Sequence, residues 1–339
     1  MIDDSAISRR TALGLALASA ATVATGASAA QRAFDPPQPT GKPDARKGSV
    51  KKYEMKKSIN LWAFPYPGLM TLEECLRLAK DAGFDGVELN YDLESDVSVK
   101  AGTHELEAIR KIADKVGIAI SGLCSFLFWP YPLSSNDEAK RSKSLELAGK
   151  MAQAAHDLGT QNLLTVPGAV TIPWRDDHEP VPNEVCDKRA KEAIAKLLPQ
   201  AEKLKVRLNI ENIFFSGYLM TPQELIAFVD SFGSEWVQVH FDTGNMLYEC
   251  PEHWIPLLGK RIRNVHLKEC NRKSPDHSLE CFRTLLDGTT NWPAVMDAFD
   301  AAGYRSYLTF EYFHPLPHYP EVLIYQTSDA LDRMLGKKS

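Results

Sequence analysis

The stretch RIRNVHLKECNRKSP, Arg261 to Pro275, opens as a strand and closes as a polar loop, presenting His266, Glu269, Asn271 and Arg272 within seven residues. Alternate side chains share one face of a strand. Asn264 and His266 therefore point to one side, and Val265 and Leu267 to the other. Three further segments repeat the layout and end in an acid: VRLNIE (Val206 to Glu211), VQVHFD (Val237 to Asp242) and YLTFE (Tyr307 to Glu311). Each terminal acid shares its face with polar residues, while Val, Leu, Ile or Phe take the opposite face. Four strands thus end with Glu211, Asp242, His266 and Glu311 on one side, a set of side chains suited to a metal ion.

Outward from these strands, the chain alternates strand and helix patterns. Strands are expected over 58–64, 84–90, 116–123 and 162–167, and a helix opens at Thr71 with Glu74 three residues on, the pattern of a capping box. Further helices are expected near 102–115, 137–158, 184–203, 222–231, 252–259, 292–302 and 319–335. Eight βα units argue for a parallel sheet, and eight fit a closed (β/α)8 TIM barrel, α/β in class, as a single domain over 58–336. The alternative is an open doubly wound sheet. Its strands read apolar on both faces, whereas these carry polar inward faces, and no GxGxxG or GxxxxGK[ST] loop is present. In a barrel, the carboxyl ends of the strands line the active face, and the four candidate ligands lie there.

With 339 residues, 44% hydrophobic and 24% charged, the chain has the composition of a globular protein with an ample core. A formal charge of −5 and only short basic runs argue against a nucleic-acid partner. Residues 1–29 read as an export signal: Ser8-Arg9-Arg10 precedes an Ala-rich apolar run, and Ala27-Ser28-Ala29 offers a cleavage site. The paired arginines resemble a twin-arginine signal, which implies transient engagement of that export machinery and a folded protein in the periplasm or outside the cell. The apolar run is shorter than the roughly 20 residues of a spanning helix, so no stable membrane anchor is expected. Residues 30–57 read as a flexible linker. Six cysteines form no CxxC pattern; pairing of Cys270 with Cys281 stays open, as does assembly into a homo-oligomer.

Two Glu, one Asp and one His suit a single divalent ion of intermediate hardness, Mn²⁺, Co²⁺ or Mg²⁺, with Zn²⁺ compatible. Such an ion leaves positions for substrate oxygens and acts as a Lewis acid on a carbonyl or enediolate. Two glutamates flanking a sugar then deliver a proton to either face (epimerisation) or to the neighbouring carbon (isomerisation). Departure of a β-substituent would instead make a lyase or dehydratase acting on a keto-sugar or keto-inositol. Glu88 and Asn90 share a face at the end of the second strand and are candidate substrate contacts. His240 lies one layer deeper than Asp242. Lys268, two residues after His266 on the same face, is a candidate donor to substrate. Trp62, Phe64, Trp129 and Trp174 fall in or beside active-face loops, where aromatic rings suit sugar faces or core packing equally.

The order Glu211, Asp242, His266, Glu311 resembles the xylose-isomerase-like barrel superfamily, as do TLEECLRLAKDAGFDGVELN (71–90) and GYRSYLTFEYF (303–313). Locally, HLKECNRKSP and DTGNM (242–246) are similar to motifs of ketose 3-epimerases of the D-tagatose/D-psicose type. The resemblance implies a carbohydrate substrate, and Glu211 and Glu311 as both ligands and acid/base pair. It also implies Arg272 on a substrate oxygen, with Glu269 and Asn245 beside the substrate. The chain departs from those epimerases at three points. Asn245 stands where they carry a His, Gly217 where they carry an acid, and Lys268 where they carry a Gly. Two readings of other classes stand beside the isomerase: a metal-free glycosidase using Glu211 and Glu311, and a non-catalytic sugar-binding barrel.

Overall fold

The structure, a computed structural model, describes residues 48–246, 249–271 and 281–338. Eight parallel strands close a barrel: β1 (Lys56–Asn60), β2 (Gly86–Asn90), β3 (Ala119–Cys124), β4 (Asn162–Thr165), β5 (Arg207–Glu211), β6 (Val237–Asp242), β7 (Ile262–Leu267) and β10 (Tyr307–Phe310). Strand β1 pairs with β2 on one side and with β10 on the other, Lys56 lying opposite Tyr307. A short antiparallel hairpin, β8 (Glu269–Cys270) and β9 (Phe282–Arg283), stands outside the barrel. The sequence pattern does not signal it, because neither arm is long enough to alternate.

The helices wrap the barrel in chain order: α1 (Leu72–Asp81), α2 (Thr103–Val116), α3 (Glu138–Leu158), α4 (Asn183–Leu204), α5 (Pro222–Asp230), α6 (Pro251–Leu258), α7 (Trp292–Ala301) and α8 (Pro320–Met334). The capping box expected at α1 is present: Glu74 N–H donates to Thr71 Oγ1 at 3.3 Å, and Thr71 N–H to Glu74 Oε2 at 2.8 Å. Such a cap contributes about 1 kcal/mol. Among the described residues, no helix is long and apolar enough to cross a membrane.

Strand alternation divides the molecule into two cores. Val87, Leu89, Leu163, Ile210, Val239, Phe241, Val265, Leu267, Leu308 and Phe310 face outward and are fully buried beneath the helices. Each large side chain of this kind contributes roughly 1.5–3 kcal/mol by leaving water. The inward faces carry Ser58, Asn60, Glu88, Ser121, Asn209, His240, Asn264, His266 and Thr309, all buried. Buried polar groups are costly unless they bond one another. Most of these do so in layers, as Ser58 with Ser121 (2.7 Å) and Asn209 with Asn162 (3.1 Å), whereas the His240 ring nitrogens and Thr309 Oγ1 have no hydrogen-bond partner among the described residues.

Two boundaries differ from the pattern. The first strand ends at Asn60, whose side chain accepts from Trp62 N–H and turns the chain into a single 3₁₀ turn over Leu61–Ala63. Residues 48–57, read as the end of the linker, belong to the folded body. Tyr53 and Met55 are buried, and Ser49 N–H and Tyr53 N–H donate to the carbonyls of Arg333 and Leu335. The expected export signal and residues 30–47 lie outside the described residues.

Candidate active site

At the carboxyl end of the barrel, Glu211, Asp242 and His266 sit on β5, β6 and β7, and Glu311 follows β10. One potential ligand atom from each lies within 4.8 Å of all the others, and all four side chains are buried. His266 Nδ1 stands 3.2 Å from Glu311 Oε2, and 3.8 Å from both Glu211 Oε1 and Asp242 Oδ2. None of Nδ1, Asp242 Oδ2 and Glu311 Oε2 forms an aligned hydrogen bond. Convergent buried atoms of ligating type, held by ion-pair contacts and by no aligned hydrogen bond, are what a divalent cation would satisfy, so these residues fit the ion the donor set implies.

Neighbouring groups orient each member. Asp242 Oδ1 accepts from the N–H groups of Gly244 (2.7 Å) and Asn245 (2.9 Å), which leaves Oδ2 aimed at the cluster. Asn212 clamps the end of β6, accepting from Asp242 N–H at 2.8 Å and donating to Asp242 O at 2.9 Å. Asn245 Nδ2 donates to Glu211 Oε1 at 3.1 Å. Thr243 and Lys268 exchange a second pair of bonds: Lys268 N–H to Thr243 Oγ1 at 2.9 Å, and that hydroxyl to Lys268 O at 3.1 Å. Asn212 and Thr243 escaped the sequence reading, although each directly follows an acid of the cluster.

Lys268 enters the cluster itself. Its ammonium lies 2.9 Å from Asp242 Oδ2, touches Glu311 Oε2 and stands 3.3 Å from Asn245 Oδ1, with the rings of Phe282 and Phe313 on its flanks. It thereby shares oxygens with any bound cation.

These charges split the two glutamates. Burial raises the Glu211 carboxyl to about 7, against the opposing pull of His266 and Lys268. Burial also acts on Glu311, but the charges of His266 and Lys268 prevail and hold it at about 2. For His266, burial opposes the charged ring; the carboxylates of Glu311 and Glu88 outweigh that and keep its pKa well above the usual imidazole value.

Two residues read as substrate contacts lie elsewhere. Glu88 is fully buried one layer below the cavity. Its Oε2 sits 2.5 Å from His266 Nε2 and accepts from Asn60 Nδ2 at 2.7 Å, while Oε1 accepts from Asn264 Nδ2 at 3.2 Å. Room for it comes from Gly122 on β3, where a Cβ would approach Oε1 to 2.8 Å. Such a carboxylate fixes the tautomer and ring plane of a ligating imidazole. Glu269 is likewise buried, and its carboxylate accepts from Trp292 Nε1 (2.6 Å) and from the N–H groups of Leu286, Thr290 and Cys270. It anchors the chain after the hairpin and is not among the residues that line the cavity above the cluster.

His240 occupies the same inner layer as Glu88, its ring edge-on to His266 at 4.1 Å. Burial and the nearby cations hold it neutral, with its pKa well below the usual value. Arg272 lies outside the described residues.

Above the cluster opens a solvent-connected cavity with Glu211, Asn245, Lys268 and Glu311 at its floor. Trp62, Trp129 and Trp174 line its wall as the sequence suggested, joined by Phe126, Phe215 and Phe313. Phe64 is in the core instead, 1% exposed.

Comparison with known proteins agrees with this architecture. The chain is 28% identical to L-ribulose 3-epimerase of Mesorhizobium japonicum over 279 residues, 79% of this chain and 80% of that one. A solved L-ribulose 3-epimerase superposes with a TM-score of 0.68 at 20% identity, covering 84% of this chain and 95% of the other. D-Psicose 3-epimerase from Clostridium cellulolyticum H10 does so with a TM-score of 0.67 at 18% identity, covering 82% and 97%. The family model described as the xylose isomerase-like TIM barrel matches residues 76–332, and with its closed barrel this chain belongs to that family.

Proposed function

We propose that the protein is a divalent-metal-dependent sugar epimerase or isomerase that moves a proton at the carbon next to a carbonyl. The observation that carries this reading is the convergence of Glu211, Asp242, His266 and Glu311 on one buried point beneath an open cavity. Those four residues would hold the ion, which supplies Lewis-acid polarisation of the substrate carbonyl when bound. The chain's own groups do the rest. Glu211 and Glu311 would serve as the acid/base pair as well as ligands, with the charges of His266 and Lys268 holding Glu311 anionic. Asn245, bonded to Glu211, holds that carboxyl in one orientation. The named relatives are epimerases, which favours return of the proton over elimination of a neighbouring group. A glycosidase using Glu211 and Glu311 alone would leave Asp242 and His266 without a role.

The test pairs metal analysis of the purified protein with solvent-deuterium uptake into a panel of keto-sugars. About one divalent ion per chain and deuterium at an α-carbon are expected. Glu211→Gln should lower the exchange rate about 10²- to 10⁴-fold. Full exchange in the presence of a strong chelator would overturn the metal-dependent reading.

A further inference from the structure

At the amino-terminal mouth of the barrel, opposite the ligand cluster, β4, β5, β7 and β10 begin around an open depression. It lies between the 3₁₀ turn Gly259–Arg261 and residues 302–306. Four cations line it, Arg207, Lys260, Arg263 and Arg305, and among the described lining residues there is no carboxylate. The local charge is therefore opposite in sign to the formal charge of −5 on the whole chain. Only one of the four is neutralised: Arg305 Nη2 lies 2.8 Å from Asp300 Oδ1, and its Nε 3.4 Å from Glu54 Oε2. The side chains of Lys260 and Arg263 form no ion pair among the described residues. Arg207 packs its guanidinium on Trp236, 5.3 Å from the ring centre, and Nη1 donates to Gln161 Oε1 at 3.0 Å. Its Nε is buried without an acceptor. Burial, and after it the like charge of Arg263, lowers the Arg207 pKa from its usual value against the pull of Glu235.

We infer that this depression binds a multivalent oxyanion of phosphate type, shared by Arg207 and Arg263, with Lys260 as the outer cation. An anion between two guanidiniums sets two attractions against one repulsion, and it offers the acceptor that Arg207 Nε lacks. The guanidinium fork matches the oxygens of a phosphate, and stacking on Trp236 fixes one fork before the ligand arrives. A neutral sugar would leave the repulsion unrelieved, and a metal cation would add to it. The opposite ends of β5 and β7 carry Glu211 and His266, and Glu311 follows β10. A bound anion would therefore tie together the starts of the strands that build the cluster. It would stabilise the closed barrel by mass action without entering the cavity, in keeping with the structural part that the amino-terminal face plays in such barrels.

Inorganic phosphate is the probe, titrated calorimetrically at low salt into the whole protein, once metal-loaded and once metal-stripped. One saturable site is expected in both forms, weakening as salt rises, with an unfolding temperature that climbs with phosphate. Arg263→Gln, at an exposed side chain, and Arg207→Lys, which keeps the charge and loses the fork, should each weaken binding about tenfold or more. Arg263→Gln should leave deuterium exchange into keto-sugars unchanged. Cosedimentation with phosphatidylglycerol vesicles separates two sources of the same chemistry. Capture that requires Arg263 and yields to phosphate would make the ligand a lipid headgroup, and no capture a soluble oxyanion. The absence of saturable phosphate binding would overturn the proposal. So would binding that metal removal or Lys268→Met abolishes and Arg263→Gln leaves intact, since the anion would then sit at the ligand cluster. Arg263-dependent binding of polyglutamate with none of phosphate would give the depression to an acidic protein and end the proposal as well.

Discussion

Replacing Glu88 by Gln isolates the layer beneath the cluster. The change keeps the side chain's shape and removes one charge at a carboxylate 2.5 Å from His266 Nε2. A hydrogen bond to a charged group contributes roughly 1.5–3 kcal/mol and a neutral one about 1, so the imidazole loses about 0.5–2 kcal/mol of support. Removing such a partner typically weakens a metal about 10- to 100-fold, or about 1.4–2.7 kcal/mol. Folding should suffer less. The new amide would turn its NH₂ toward Asn264 Nδ2, but Asn264 Oδ1 has no partner, so rotation of that amide can accept the new donor. Competition against a chromophoric chelator reads the affinity, and thermal unfolding of the metal-free protein reads the fold. Lower affinity with a nearly unchanged unfolding temperature is expected. Unchanged affinity with a large loss of stability would refute the argument and leave Glu88 a packing residue.

In chelator, stability should fall as pH rises from about 4.5 to about 7. The native protein holds the Glu211 proton more tightly than the unfolded chain does, so unfolding is favoured as that proton is lost, by about 3 kcal/mol over the window. Glu211→Gln should flatten the profile, and a stability that climbs through this range would contradict the assignment. Lys268→Met removes the ammonium that shares Asp242 Oδ2 and Glu311 Oε2 with a bound cation. Divalent-ion affinity should rise about tenfold or more while turnover falls, and weaker binding would show that Lys268 assists the ion. The Sγ atoms of Cys270 and Cys281 lie 3.2 Å apart, close enough for a disulfide after small rotations. Thiol–disulfide exchange with oxidised glutathione should yield a cross-linked peptide pair on non-reducing mapping, whereas full alkylation of both thiols after treatment would count against it.

The sequence was informative where the physics is local. Alternation along a strand is set by neighbouring residues, so the shared face of Glu211, Asp242, His266 and Glu311 could be read from four short segments, and the barrel from their repetition. Depth within the barrel is not local. Glu88 occupies the inner layer because Gly122 on the adjacent strand leaves a gap and because His266, far along the chain, crosses above it. Nothing within GVELN records either fact. The place of Glu269 is hidden for the same reason, since its partners Leu286, Thr290 and Trp292 come after the hairpin. The intrusion of Lys268 is likewise a matter of packing, since strand parity gives the direction of a side chain and says nothing of how far an ammonium reaches.

The seam between β1 and β10 joins Lys56 to Tyr307, near the two ends of the folded body. A chain emerging from the ribosome cannot close that seam until almost all of it has been made, since loop closure precedes the contacts that stabilise it. Glu311 follows the same last strand, so the four-residue cluster and the closed wall are completed together. A truncated or half-synthesised chain would lack both, which makes occupancy of the cluster a report that the barrel is whole.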